Sequence, residues 1–199
     1  MGRHSAERRF TRSLRDIRQV QVTRMGESAR DWRLLTVARA GDLLAFGHLV
    51  EQFQGPLARY LWCLGEHEAG LARLLEETFV AAYRALQIAA RTSVQVWLYS
   101  IATQIVLEQQ SNAVMDGLRA VQDRKPQSDP LRDAIASVGL QDRCILILCA
   151  LEGLTSIEVA AIMNVSPGNV RTRFRRAQAR FNTVYVHLLG PHARADGGE

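Results

Sequence analysis

Leu154-Thr155-Ser156-Ile157-Glu158-Val159-Ala160-Ala161-Ile162-Met163-Asn164-Val165-Ser166-Pro167-Gly168-Asn169-Val170-Arg171-Thr172-Arg173-Phe174-Arg175-Arg176 is the stretch that decides the fold. Thr155 with Glu158 three residues later forms a capping box, so a short helix opens there and runs through Val159, Ala160 and Ile162. Ser166 then offers a side-chain oxygen to orphan backbone N–H groups, and Pro167 suits a first helical position. In the helix that follows, Val170, Phe174, Ala177 and Phe181 recur on one face, while Arg171, Arg173, Arg175, Arg176 and Arg180 fall mostly on the other. Two short helices joined by a tight turn, the second basic and sharply capped, make a helix-turn-helix. Such a second helix enters a major groove N-terminus first. Ser166, Asn169, Arg171, Thr172 and Arg175 lie on or near its leading end, where Arg can pair with guanine and Asn with adenine. Arg173, Arg176 and Arg180 are placed for phosphates.

Upstream, Ile145, Leu146, Leu148, Cys149 and Leu151 make a buried helix that Gly153 ends. Lys125-Pro126-Gln127-Ser128-Asp129-Pro130 has the composition of a linker. Before it, three helical stripes follow one another. Phe46, Val50, Phe53 and Leu57 form the first, started by Asp42 as an N-cap, with Gly55-Pro56 expected to kink or break the helix before Tyr60. Leu71, Leu74, Leu75, Thr78, Phe79, Ala82, Tyr83 and Leu86 form the second. Val94, Trp97, Leu98, Ile101, Ala102, Ile105 and Val106 form the third, with Thr92 and Gln95 reading as its capping box. The fold class is therefore all-α. Two small helical domains at 31–112 and 138–190 are expected, joined by a flexible linker at 113–137 and flanked by a basic arm at 1–30 and a tail at 191–199.

Charge is unevenly spread along the 199 residues. Residues 1–32 carry eight Arg against four acidic residues, 33–112 carry six against seven, and 153–190 carry five against one. A basic segment on a helical motif points to phosphate contact. No uninterrupted apolar run reaches membrane-spanning length, and the Arg-rich start has no secretory pattern, so a cytoplasmic location without membrane insertion is expected. Cys63, Cys144 and Cys149 form no CxxC pair and read as small buried apolar residues. The histidines show no ligand spacing, and Glu76-Glu77 stand with no nucleophile or base, so neither metal, cofactor nor catalysis is expected.

These residues resemble a known family. Gly139-Leu140-Gln141-Asp142-Arg143 through Leu151-Glu152-Gly153-Leu154-Thr155, then Glu158-Val159-Ala160 and Val165 through Arg173, resemble region 4 of the extracytoplasmic-function (ECF) sigma factors of the sigma-70 family. Gly41-Asp42 with Ala45-Phe46, Leu57 with Tyr60-Leu61, Glu77-Thr78-Phe79 with Ala82 to Leu86, and Trp97-Leu98-Tyr99 with Ile101-Ala102 resemble region 2. The resemblance implies a non-enzymatic transcription-initiation subunit. Its partners would be core RNA polymerase, through the clamp helices and the flap, promoter DNA, and an anti-sigma factor. It implies that Arg73, Glu76, Glu77 and Arg84 lie on the polymerase-binding helix. Gln87, Arg91 and Thr92 fall in the loop where the family holds a flipped −10 base, and region 4 reads the −35 element. Trp97 belongs to the apolar stripe, which leaves Tyr99 as the aromatic candidate near nucleic acid.

The chain departs from the family pattern at Arg73, commonly Asp, and Glu76, commonly Gln. Ser100 and Thr103 stand where basic residues are usual, Gln104 replaces an Asn, and the helix ends in Glu108-Gln109-Gln110 without Arg. A single-strand-binding surface ordinarily carries positive charge. The alternative reading is therefore a sigma-like interaction protein that binds an anti-sigma factor or polymerase without melting promoters.

Overall fold

A computed structural model describes residues 29–65, 68–89, 93–115 and 129–192. All but the last two residues of the expected basic arm at 1–30, together with Arg91, Thr92 and most of the segment read as a linker, lie outside the described residues. Eight α-helices and no strand occur among those described: α1 (29–39), α2 (Leu43–Cys63), α3 (Glu68–Arg84), α4 (Val94–Met115), α5 (Pro130–Ala136), α6 (Leu140–Ala150), α7 (Ser156–Met163) and α8 (Pro167–His192). A single 3-10 turn, Leu86–Ile88, follows α3. α2, α3 and α4 pack on one another, and α5, α6 and α7 all pack on α8.

Helix starts follow local chemistry. The Asp42 carboxylate accepts from the N–H groups of Leu44 and Ala45, at 2.9 and 3.2 Å, and opens α2. α2 runs on through Pro56 as one helix, so the proline does not break it. Its buried residues lie on both sides of the proline, with Leu49 and Phe53 before it and Leu57, Tyr60 and Leu61 after it. Packing along that continuous stripe sustains the helix past the one missing backbone donor. At α4 the Ser93 hydroxyl accepts from the Val96 N–H at 3.1 Å, so the observed cap is Ser93, next to the Thr92 that the sequence suggested.

The segment 113–137 is helical at both ends. α4 continues to Met115, and Asp129 caps α5 by accepting from the Leu131 N–H at 3.0 Å, with Pro130 at the first helical position. The C-terminal group of helices thus starts at Asp129, ahead of Val138. α5 is held there by Arg143, a buried cation whose guanidinium donates to the carbonyls of Ala136 and Val138 at 2.8 and 2.9 Å.

The two groups of helices are docked. α4 packs along α7, and α2 and α4 both touch α6. The first half of α4 is buried nearly all round: Val94, Val96, Trp97, Leu98, Tyr99, Ala102 and Thr103 are all enclosed. A helical segment covered on every side belongs at the centre of a protein. Cys144 and Cys149 are packed into α6, and burial pushes each thiol up to about 11, so both stay protonated at neutral pH.

Candidate nucleic-acid interface

The helix-turn-helix is built as its capping signals require. Thr155 Oγ1 accepts from the Glu158 N–H at 3.3 Å, while the Glu158 carboxylate accepts from the Thr155 N–H at 2.7 Å. α7 ends at Asn164 in a left-handed conformation, φ 52°, which a non-glycine residue of this type tolerates. The Val165 N–H returns to the Ala160 carbonyl at 3.1 Å and closes the turn. Ser166 Oγ then accepts from the Asn169 N–H at 3.2 Å and opens α8. Val170, Ala177 and Phe181 are buried and anchor α8 to its neighbours.

The outer face of α8 is cationic. Asn169, Arg171, Thr172 and Arg175 are exposed near its start, and Ser166 is exposed at its tip. Arg171 Nη1 reaches Ser156 Oγ at only 3.4 Å, a contact weak enough to exchange for a ligand. The other three arginines are engaged. Arg173 Nε and Arg176 Nη2 each donate to the Asp142 carboxylate at 2.6 Å, and Arg173 Nη2 donates to Gln141 at 3.0 Å. Arg180 Nε donates to the Ser137 carbonyl at 2.7 Å. Arg173 is half-buried in this cluster and braces α8 against α6. Arg176, 71% exposed at its side chain, still presents its guanidinium to solvent.

Asp142 is the hub that the sequence did not single out as a site. Burial acts to raise its pKa, but the hydrogen bonds from Arg176 and Arg173 outweigh burial and hold the carboxyl below its ordinary value. A lowered folded-state pKa adds stability above the unfolded value of about 3.9, and that contribution disappears as pH falls through the folded value. Asp142→Asn is therefore expected to melt earlier at pH 7, by about 1 kcal/mol, since Arg176 is largely solvated. The difference from wild type should shrink as the pH drops below about 4. Thermal melts from pH 3 to 7 check this; a gap that does not change with pH would assign the effect to packing alone.

In the N-terminal group, Arg73, Glu76 and Arg84 are exposed on α3 and Glu77 is half-exposed. Arg73 Nη1 donates to Glu77 at 3.1 Å, and Gln109 on α4 donates to the same carboxylate at 2.9 Å. Exposed Gln87 donates to the Arg39 carbonyl at 3.0 Å. Arg39, which sequence reading passed over, donates to the carbonyls of Leu86 and Ala89 and so pins the 3-10 turn and its exit. Its long-range partners leave no local pattern to read.

Tyr99 requires a correction. It is fully buried, edge-on to Tyr60 with ring centroids 5.1 Å apart, and donates from its hydroxyl to Glu152 at 2.6 Å. Both Trp97 and Tyr99 are enclosed, because α4 is covered on its second side by the C-terminal group. In this arrangement Tyr99 offers no surface to nucleic acid.

Comparison with known proteins agrees with this architecture. Residues 128–180 match the family model described as Sigma-70, region 4. The chain is 26% identical over 151 residues to the ECF RNA polymerase sigma factor SigE of Mycolicibacterium smegmatis, covering 67% of this chain and 59% of the relative. It is 27% identical over 171 residues to the ECF RNA polymerase sigma factor BldN of Streptomyces coelicolor, covering 76% and 64%. The chain thus spans less than two thirds of the length of these two relatives. Its fold resembles CnrH, solved in complex with the cytosolic domain of CnrY, with a TM-score of 0.62 and 25% identity over 78% of this chain and 96% of that one. The chain is thus similar to extracytoplasmic-function sigma factors of the sigma-70 family, with the region 4 model matching its helix-turn-helix.

Proposed function

We propose that this chain is an initiation subunit of RNA polymerase that binds the core enzyme and directs it to promoters. The observation that carries the proposal is the doubly capped helix-turn-helix presenting Asn169, Arg171, Thr172 and Arg175 on one exposed face, within the span matched by the region 4 model. These side chains read the −35 duplex in the major groove, while Arg176, Arg180 and the N-terminus of α8 at Ser166 meet phosphates. The helices up to Met115 form the unit that engages polymerase through Arg73, Glu76, Glu77 and Arg84. They present the turn at Gln87, with the adjoining Arg91 and Thr92, to the −10 element. Helices from Asp129 onward form the second unit. The chain works in the cytoplasm, and neither catalysis nor a cofactor is assigned to it. No helix among the described residues is long and apolar enough to cross a membrane. An anti-sigma factor is proposed as a further partner on the resemblance to the sigma-factor family, and CnrH, which this fold resembles, was itself solved with a protein partner, the cytosolic domain of CnrY.

Glu77 tests the polymerase face. Its carboxylate lies in a surface network with Arg73 and Gln109, so Glu77→Lys reverses a charge without opening the core. The variant is expected to keep its helical content and melting temperature within a few degrees, and to lose at least about tenfold in affinity for core polymerase, as truncated charged hot spots do. Retention of core polymerase by the folded variant at wild-type level would remove α3 from the interface.

The lack of basic residues in α4 favours one second reading, a sigma-like protein that binds polymerase or an anti-sigma factor without melting promoters. α4 contains no Lys or Arg from Val94 to Met115. Permanganate footprinting of the holoenzyme on promoter DNA separates the two, because only a melting factor exposes unpaired thymines near −10.

A further inference from the structure

Between residues 153 and 190 the chain carries five Arg and one acid, Glu158. That acid is taken up by the Thr155 cap at the start of α7. The fold nevertheless brings a carboxylate to the basic helix from outside this segment. Asp142 stands in the first turn of α6. Its Oδ1 accepts from Arg173 Nε and its Oδ2 from Arg176 Nη2, each at 2.6 Å. The Asp142 and Arg173 side chains are 16% and 20% exposed, against 71% for Arg176, so the cluster runs from the packed base of α8 to its solvent edge. Among the described residues, neither Arg171 nor Arg175 is paired with a carboxylate.

A guanidinium pairs with carboxylate and with phosphate oxygens through the same fork of N–H donors. Asp142 therefore occupies on Arg176 the place that a backbone phosphate takes. Burial opposes ionisation of this carboxyl, but the hydrogen bonds from Arg176 and Arg173 hold it below its ordinary value, so its charge is present at neutral pH. A phosphate that claims Arg176 breaks one charge-assisted hydrogen bond. It also leaves Oδ2 nearby as a like charge, while Arg173 stays on Oδ1. At roughly 6 Å through water, one such like-charge pair weakens binding about threefold. The penalty falls on a phosphate contact, which carries no sequence information.

We propose that Asp142 is a built-in competitor for the DNA backbone: it holds Arg176, together with Arg173, against α6 and so lowers the affinity of α8 for phosphates on any sequence. Base contacts by Arg171 and Arg175, which no such pairing restrains, then make up a larger share of the binding. Within the cluster the two arginines divide the work. Arg173 braces α8, and Arg176 is the contact that DNA takes from Asp142. The inference rests on the proposed DNA-reading role of α8 for its purpose, but the competition itself can be measured on DNA of any sequence.

The test uses the full chain as wild type, Asp142→Asn, Asp142→Glu, Arg176→Ala and the Asp142→Asn, Arg176→Ala double variant. Asparagine keeps the shape of Asp142 and an acceptor for Arg173, so α8 stays braced. Fluorescence anisotropy follows binding to a labelled duplex of unrelated sequence over a range of salt. Asp142→Asn should bind about threefold or more tighter at about 0.1 M salt, with the gain fading toward about 1 M as charges are screened. Asp142→Glu restores the charge and should return toward wild type. Without Arg176 the gain from Asp142→Asn should fall below about twofold, because the arginine it releases is gone. Unchanged or weaker binding by Asp142→Asn would overturn the competition and leave Asp142 as a brace alone. An equal gain with and without Arg176 would also overturn it, assigning the effect to net charge. In the holoenzyme, the −35 duplex and its single-base variants should all gain by the same factor; a gain confined to one base would contradict the proposal. A wild-type holoenzyme indifferent to the −35 element would count against the proposed function, while the gain on unrelated DNA would still support the competition.

Discussion

Replacing Arg143 by leucine is expected to lower the melting temperature by roughly 6–12 °C, corresponding to a loss of about 3 kcal/mol in a protein of this size. Arg143 is 8% exposed and sits between apolar neighbours on α6, yet its guanidinium serves three carbonyls. Nη1 donates to Leu64 at 2.7 Å, Nη2 to Ala136 at 2.8 Å and Val138 at 2.9 Å, and Nε to Val138 at 3.2 Å. Leu64 caps the end of α2, and Ala136 and Val138 close α5, so these are carbonyls at helix ends that lack intrahelical partners. Leucine fills the space but strands them. Removing one partner of a buried hydrogen-bonded set costs more than the bond itself contributed. Arg143→Lys should fall between, since a lysine ammonium cannot span three acceptors in the plane of a guanidinium. Calorimetry decides the matter, and a Leu variant melting within 2 °C of wild type would show that these carbonyls find water instead.

Arg171→Ala is expected to cost about 1–3 kcal/mol of −35 duplex affinity in the holoenzyme and to relax preference at one or two adjacent base pairs. Arg171 is exposed one turn into α8, its only hydrogen bond shown being the 3.4 Å contact with Ser156, so little holds it back from a base edge. Arg175 stands one turn further on and shares the approach. Arg176 behaves differently. Its guanidinium leans on Asp142 and is positioned for a phosphate, so Arg176→Ala should weaken all sequences alike and reduce the salt slope by about 1. Binding of single-base variants at several salt concentrations separates the two effects. An Arg171→Ala holoenzyme with unchanged affinity and base preference would mean that α8 meets DNA in another orientation.

The helix-turn-helix was legible in the sequence because its signals are local. The capping box at Thr155 and Glu158, the Ser166-Pro167 start and the apolar spacing of Val170, Ala177 and Phe181 act within a few residues of one another, and the structure reproduces each. α5 was equally local. Asp129-Pro130 is a helix-start pair, but the surrounding Pro, Ser and Gln outweighed it in a reading by composition. Pro56 misled for the opposite reason, since a local breaker yielded to tertiary packing on both sides of it. Tyr99 and Glu152 could not be placed from spacing at all. Each finds its hydrogen-bond partner in the other helical group, 53 residues away in the chain. Arg173 was missed within its own group: its position in the basic helix suggested a phosphate ligand, and Asp142 on α6 claims it. What sequence reading missed is therefore contact between residues far apart in the chain, which also decides which of the proposed surfaces are open.

The central claim, that this chain confers promoter recognition on RNA polymerase, is tested most directly by run-off transcription. Core enzyme and purified full-length protein are incubated with promoter fragments from the source genome. The account predicts transcripts starting at defined positions that need both the protein and an intact −35 element, and that fall at least about tenfold with Arg171→Ala. Tight binding of the wild-type protein to core polymerase with no promoter-dependent transcript from any fragment would contradict it.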